Sequence, residues 1–231
     1  MLIRLWSLLD ASERHLRRSF GRDVSTPAGR RAAWLHYHLF DHAVLRTVWT
    51  NFFEVVPGVY RSNQPTHARF RRYRDMGIRT VINLRGGDDY AHYLFEKESC
   101  EALGLILIDA KLSARRTVSA ERVLAMIEAM RVAERPFLFH CKSGADRAGF
   151  AAAVYLLVFE GVPVAEAQKQ LGLKYLHLRF TKTGVQGYIL DVYEARLARG
   201  AIAFEDWIRE EYDHKAIQAA FDAGRPAREI A

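Results

Sequence analysis

Cysteine is scarce: the 231 residues contain only Cys100 and Cys141. No disulfide framework can be built from them, and a lone reactive thiol fits a reducing compartment. No stretch approaches ~20 uninterrupted apolar residues, so nothing reads as a membrane span. The opening Met1 to Asp10 is a short apolar run soon broken by Arg4 and does not read as a signal peptide, so the expected location is the cytoplasm. Internal repeats and low-complexity segments are absent as well. His36, His38 and His42 cluster, but no cysteine or carboxylate pattern completes a ligand set, so neither a metal nor a cofactor is implied. Acidic residues are outnumbered, 27 Asp and Glu against 34 Lys and Arg, which leaves a net charge of +7 and favours anionic partners. No recognition motif accompanies that charge, so nucleic acid is not expected among them.

Half of the residues are hydrophobic, enough for one sizeable core plus an extension. Residues 1–50 read as a basic and amphipathic helical extension. Residues 1–31 can either pack on the body or lie on an anionic membrane surface. Gly21 to Gly29, with Pro27, reads as a flexible break, and residues 32–50 as one amphipathic docking helix. Residues 51–200 alternate short strands with helices: a hairpin around Pro57-Gly58, a helix from Thr66 to Met76, a strand from Arg79 to Arg85, a helix over 90–103, a strand from Leu105 to Ile108 and a helix from Ser119. The expected fold is therefore α/β, with a mostly parallel central sheet flanked by helices. Residues 201–231 read as a C-terminal helix over 203–222 packing on the catalytic domain, with a tail frayed from Gly224.

The chemistry concentrates between Pro136 and Glu160. A short apolar run opened by proline reads as a buried strand, and the Ala- and Leu-rich run from Ala148 as a buried helix. Between them lies His140-Cys141-Lys142-Ser143-Gly144-Ala145-Asp146-Arg147. A loop that turns directly into a helix aims several backbone N–H groups at one point, where the helix N-terminus adds partial positive charge. Such a nest binds a tetrahedral oxyanion. The same field stabilises a thiolate at Cys141, and Arg147 supplies a planar bidentate fork suited to phosphate. A nucleophile inside a phosphate cradle implies attack on phosphorus and a cysteinyl-phosphate intermediate.

A His-Cys followed by five residues and Arg, set between a strand and a helix, resembles the signature loop of the cysteine-dependent protein tyrosine phosphatase superfamily. Together with the segment Val59 to Pro65, it resembles the bacterial dual-specificity-like branch over residues 52–198. The resemblance implies a phosphatase fold and a metal-independent phosphomonoesterase acting on phosphotyrosine or other phosphorylated protein residues. The alternative keeps the chemistry but places the phosphomonoester on a phospholipid or another small molecule at the membrane surface. The resemblance further implies Cys141 as nucleophile and Arg147 as phosphate ligand. Asp109, 32 residues before the nucleophile, is implied as general acid, with Asp146 as its competitor. His140, Lys142, Ser143, Gly144, Ala145 and Asp146 complete the implied substrate cradle: His140 tunes the loop through its backbone, Lys142 adds a point charge, and Ser143 can donate to the intermediate. Ala148 departs from the hydroxyl residue that many members place directly after the arginine. Cys100 reads either as a buried inert thiol or as a redox partner of Cys141.

Overall fold

The computed structural model describes residues 22–231. Helix α1 (Pro27–Leu35) begins with Pro27 in its first turn, and the Thr26 side chain accepts a hydrogen bond from the Gly29 N–H. Proline fits there because the N–H it lacks has no helical partner. The supposed break at Gly21 to Gly29 is therefore in part a helix start. The single helix expected over 32–50 is also divided. A π-turn (His36–Phe40) follows α1, and only Leu45–Val48 (α2) is helical after it. His42 takes a positive φ of 56°, which ends the helical run and leaves Asp41 buried. Residues 1–21, with most of the basic amphipathic stretch, lie outside the described residues.

The body is a five-stranded sheet. β1 (Phe53–Val56) and β2 (Val59–Asn63) form the hairpin about Gly58, whose φ of +80° suits a residue without a Cβ. The chain continues through α3 (His67–Asp75), β3 (Thr80–Asn83), α4 (Ala91–Leu103), β4 (Ile106–Asp109), α5 (Ala120–Val132) and β5 (Phe137–Cys141). The spatial order is β1-β2-β5-β3-β4, parallel throughout except for the β1–β2 pair. β5 is central and buried along its length, which is why it reads as an almost continuous apolar run rather than an alternating one. It leads straight into α6 (Asp146–Phe159), apolar and buried over most of its length.

Strand side chains alternate between faces, and the two cores follow that period of two. Phe137, Phe139 and Cys141 of β5 pack with Ile82 of β3 toward α5 and α6. Val81 of β3 packs with Phe70 and Cys100, and Leu138 of β5 with Tyr73 and Ile78, on the α3 and α4 side. The consequence for the site is direct: the side chains of His140 and Cys141 leave β5 on opposite faces.

Beyond α6 come α7 (Val164–Ala167), three short 3-10 turns and α8 (Val185–Leu197). The helix expected over 203–222 is split into α9 (Phe204–Glu210) and α10 (His214–Asp222), because Asp213 caps the second one through the N–H groups of Lys215 and Ala216. The tail from Gly224 is not loose: Tyr188 donates a hydrogen bond to the Arg225 carbonyl, and Ile230 packs against the core. Trp207 anchors this end, buried among Tyr193, Phe204 and Tyr212. Replacing Trp207 with Ala is expected to lower unfolding free energy by about 3–5 kcal/mol. Urea titration of the variant measures it, and a loss below about 1 kcal/mol would mean that the C-terminal helices are not part of the cooperative core.

Candidate active site

The loop from Cys141 to Arg147 is shaped from outside. The Gln64 N–H donates to the Lys142 carbonyl at 3.4 Å, and Asn51 Nδ2 to the Ser143 carbonyl at 3.0 Å. Arg61 Nη2 donates to the carbonyls of Gly144 and Ala145, at 2.8 and 3.2 Å. In a trans peptide the C=O of one residue and the N–H of the next point in opposite directions. With four successive carbonyls held outward, the N–H groups of Ser143, Gly144, Ala145 and Asp146 are turned inward to one point, beside Cys141 and the first turn of α6. Gly144, at φ +75°, is required here twice over: a Cβ would also lie 2.6 Å from the backbone nitrogen of Asn63.

Arg61 is the clamp, and it is fully buried. Its guanidinium stacks 3.9 Å from the centre of the Tyr175 ring and also donates to the carbonyl and side-chain oxygens of Gln170. Burial pulls it down to about 10, against the opposing influence of Tyr175, Cys141 and Asp146, and it stays charged at neutral pH. Gly149 lets the turn carrying Gln170 approach α6, since a Cβ would sit 2.7 Å from Leu171 Cδ2 and 2.8 Å from the Gln170 carbonyl.

Arg147 is half-buried, its Nε has no partner, and among the described residues no carboxylate pairs with its guanidinium. A cation that is partly desolvated and unpaired beside four converging N–H groups is a ready anion site. Cys141 is buried in the base of the loop. Lys142 reaches away from the centre, its ammonium 3.2 Å from Asp41. Burial lowers its affinity for the proton, Asp41 raises it and Arg85 lowers it again, with a net downward shift. The Ser143 hydroxyl oxygen accepts a long contact from the Ala145 N–H at 3.4 Å. Ala148 is buried in the core behind the loop.

His140 is buried on the α4 side, with Nε2 2.5 Å from Glu96 Oε1, so the partner of this histidine is a glutamate rather than the loop backbone. Glu96 also accepts from Gln64 Nε2 at 2.6 Å, which links that face back to the segment holding Lys142. Asp109 ends β4 and is exposed. Asn83 Nδ2 donates to one of its oxygens at 2.9 Å and the Tyr93 hydroxyl to the other at 2.6 Å. Tyr93 is on α4, so Asp109 leaves the sheet on the His140 side. Asp146 lies in the loop itself, with Oδ1 2.8 Å from Nδ1 of the buried His177. Cys100 is buried with Phe70, Val81 and Leu105, apart from the cluster that holds Cys141, and both thiols are free. Burial and the neighbouring Glu96 push the Cys100 thiol far above its ordinary range, which makes it unreactive.

The residues that sequence reasoning missed are those that aim the loop: Asn51, Arg61, Gln64, His177 and, most of all, Asp41. Asp41 is buried and takes Arg85 through both oxygens, at 2.9 and 3.0 Å, and Arg46 at 2.7 Å, in addition to Lys142. Burial raises its pKa, but Arg85, Arg46 and Lys142 outweigh it and hold the carboxyl well below the usual carboxylate range. Folding depresses this pKa, so the carboxylate contributes its full stabilisation above the unfolded-state value of about 3.9 and loses it as pH falls further. Asp41→Asn leaves three cations facing one another and is expected to cost about 3–5 kcal/mol at neutral pH. The gap from the unaltered protein should narrow below about pH 4, which urea unfolding at pH 7 and pH 3 would show. A gap independent of pH would assign the cost to lost packing instead.

Comparison with known proteins agrees with this geometry. Residues 51–179, more than half of the chain, match the family described as Swiss Army Knife protein, DSP-PTPase phosphatase domain. Over 113 residues the chain is 30% identical to the dual specificity protein phosphatase TpbA of Pseudomonas aeruginosa, covering 48% of each protein, so the chain spans about half the length of the curated relatives it matches. Among solved structures, a variant of TpbA from P. aeruginosa crystallised with phosphotyrosine superposes with a TM-score of 0.50 at 20% identity, over 66% of this chain and 97% of that one. A phosphatase-like protein from Shewanella putrefaciens superposes with a TM-score of 0.52 at 17% identity, over 66% and 95%. With the cradle, the unpaired arginine and the matched span in agreement, the chain belongs to the dual-specificity phosphatase domains of the cysteine-dependent protein tyrosine phosphatase superfamily.

Proposed function

We propose that the protein hydrolyses phosphomonoesters, phosphotyrosine and other phosphorylated protein residues among them, by way of a cysteinyl-phosphate at Cys141. The observation that carries the reading is the unpaired Arg147 beside four inward N–H groups, a site shaped for a phosphoryl group's equatorial oxygens. In the first step the Cys141 thiolate attacks phosphorus, the S–P bond forms, the P–O bond to the leaving group breaks, and a carboxylic acid gives that oxygen its proton. In the second step water attacks phosphorus, gives up a proton to the carboxylate, and the thiolate leaves. The TpbA variant crystallised with phosphotyrosine supports an aryl phosphate as one substrate.

Asp109 is assigned as the acid from its place at the carboxyl end of β4. Asp146 is the second reading, favoured by a specific contact. Its Oδ1 is fixed by buried His177, and His177 Nε2 has no partner. The tautomer with the proton on Nδ1 donates to Asp146 and leaves only a bare lone pair buried, which costs less than burying an unpaired N–H. A phosphomonoester carried by a lipid or another small molecule requires no change in these steps.

Cys141→Ser should abolish turnover of an aryl phosphate while leaving binding of inorganic phosphate in place, measured by steady-state kinetics and calorimetry. Retained turnover would remove this loop as the catalyst. Of Asp109→Asn and Asp146→Asn, the variant lacking the acid should lose about 10²–10⁴ in kcat and the limb of the pH profile that reports protonation of that group. The Asp109 assignment fails if its variant keeps both and the Asp146 variant does not.

A further inference from the structure

Large apolar side chains are exposed in a pattern far from random. Eleven of the fourteen in the described residues fall in just two segments, 34–49 and 173–180. The extremes are Val48 at 90%, Phe180 at 86% and Leu173 at 72%. Isolated exposed leucines are ordinary, but a concentration of this kind marks a surface that meets something.

The two segments flank the same loop. Asn51 Nδ2 donates to the Ser143 carbonyl and to the Tyr175 carbonyl, at 3.0 and 3.1 Å, tying the end of the first segment to the phosphate loop and to the middle of the second. Asn63, in register with Cys141, donates its backbone N–H to the Thr50 carbonyl and its side-chain amide to the Trp49 carbonyl. On the other side His177 reaches Asp146 at 2.8 Å. Leu45, Val48 and Trp49 in the first segment, and Leu173, Leu176 and Phe180 in the second, thus belong to stretches that meet at Asn51 beside the phosphate loop.

Charge decides what such a rim meets. Asp41, buried and fully paired, is the sole acidic residue between 24 and 49, and none occurs between 167 and 184. Those same stretches carry exposed Arg30, Arg31, Lys174, Arg179 and Lys182, of which Arg30 pairs with Glu98 and Arg179 with Asp191. Apolar side chains interleaved with Arg31, Lys174 and Lys182, which pair with no carboxylate among the described residues, match the boundary between anionic headgroups and acyl chains. A second copy of the chain would bring the same cations face to face, which disfavours self-association.

We propose that this rim docks the protein on an anionic lipid surface, with the phosphate loop facing the headgroups. Docking does not rest on the catalytic reading, because it requires neither Cys141 nor turnover.

The test uses the full chain with vesicles of phosphatidylcholine containing phosphatidylglycerol, against vesicles of phosphatidylcholine alone. The expected result is cosedimentation with the anionic vesicles, weakened by added salt. Val48→Asp combined with Phe180→Asp should lower that partitioning on the order of tenfold or more. Both positions are exposed, so hydrolysis of a soluble aryl phosphate and the unfolding midpoint should be unchanged in the variant. Absence of binding to anionic vesicles overturns the proposal. So does equal binding by the variant, which would place any contact in residues 1–21. So does a concentration-dependent dimer, seen by sedimentation velocity, that the same two substitutions abolish.

Discussion

Four backbone carbonyls pulled outward by Gln64, Asn51 and Arg61 define this protein's chemistry, because each planar peptide that is fixed on one side is aimed on the other. Without those donors the loop would be a short stretch of glycine and small residues free to turn its N–H groups to water. With them, the anion site is organised before any ligand arrives, and none of its reorganisation cost falls on the bound state. Arg61 carries the largest share. It is buried, which costs solvation, and that cost is offset by four acceptor contacts and a ring face rather than by a carboxylate.

A second network surrounds the first and comes from outside the matched domain. Asp41, in the extension, neutralises Arg46, Arg85 and Lys142, three cations that would otherwise repel one another beside the loop. Arg85, just past the end of β3, finds its carboxylate partner 44 residues earlier in the chain. The extension is thus more than an appendage. It carries a buried charge that the domain requires, and on its outer side it presents the apolar residues that flank the phosphate site.

How much of this was legible in the chain differs from element to element. The β5–loop–α6 unit could be read directly, because its signals are local: a buried strand, a nucleophile, a glycine at the turn and an apolar helix follow one another without interruption. Helix ends with a chemical marker, such as Gly104 after α4, were equally plain. The division of residues 32–50 and of 203–222 was not, because an apolar period survives across a turn. Only the positive φ of His42 and the capping by Asp213 reveal the breaks. The partner of His140 was hidden for another reason. Alternation along β5 sends it to the face opposite Cys141, and which side chain waits there depends on how α4 lies across the sheet.

The sequence by itself determined the α/β alternation, the strand-to-helix loop with Cys141 and Arg147, and the scarcity of acid around residues 24–49 and 167–184, since all of these are properties of neighbours in the chain. Tertiary structure alone decided that Arg61, Asn51 and Gln64 aim the loop, that Asp41 gathers three cations from distant segments, and that two separate apolar stretches frame one site. Those are contacts between residues tens of positions apart, and their partners are chosen by the register of parallel strands and by the packing of helices on the two faces, neither of which any local pattern encodes.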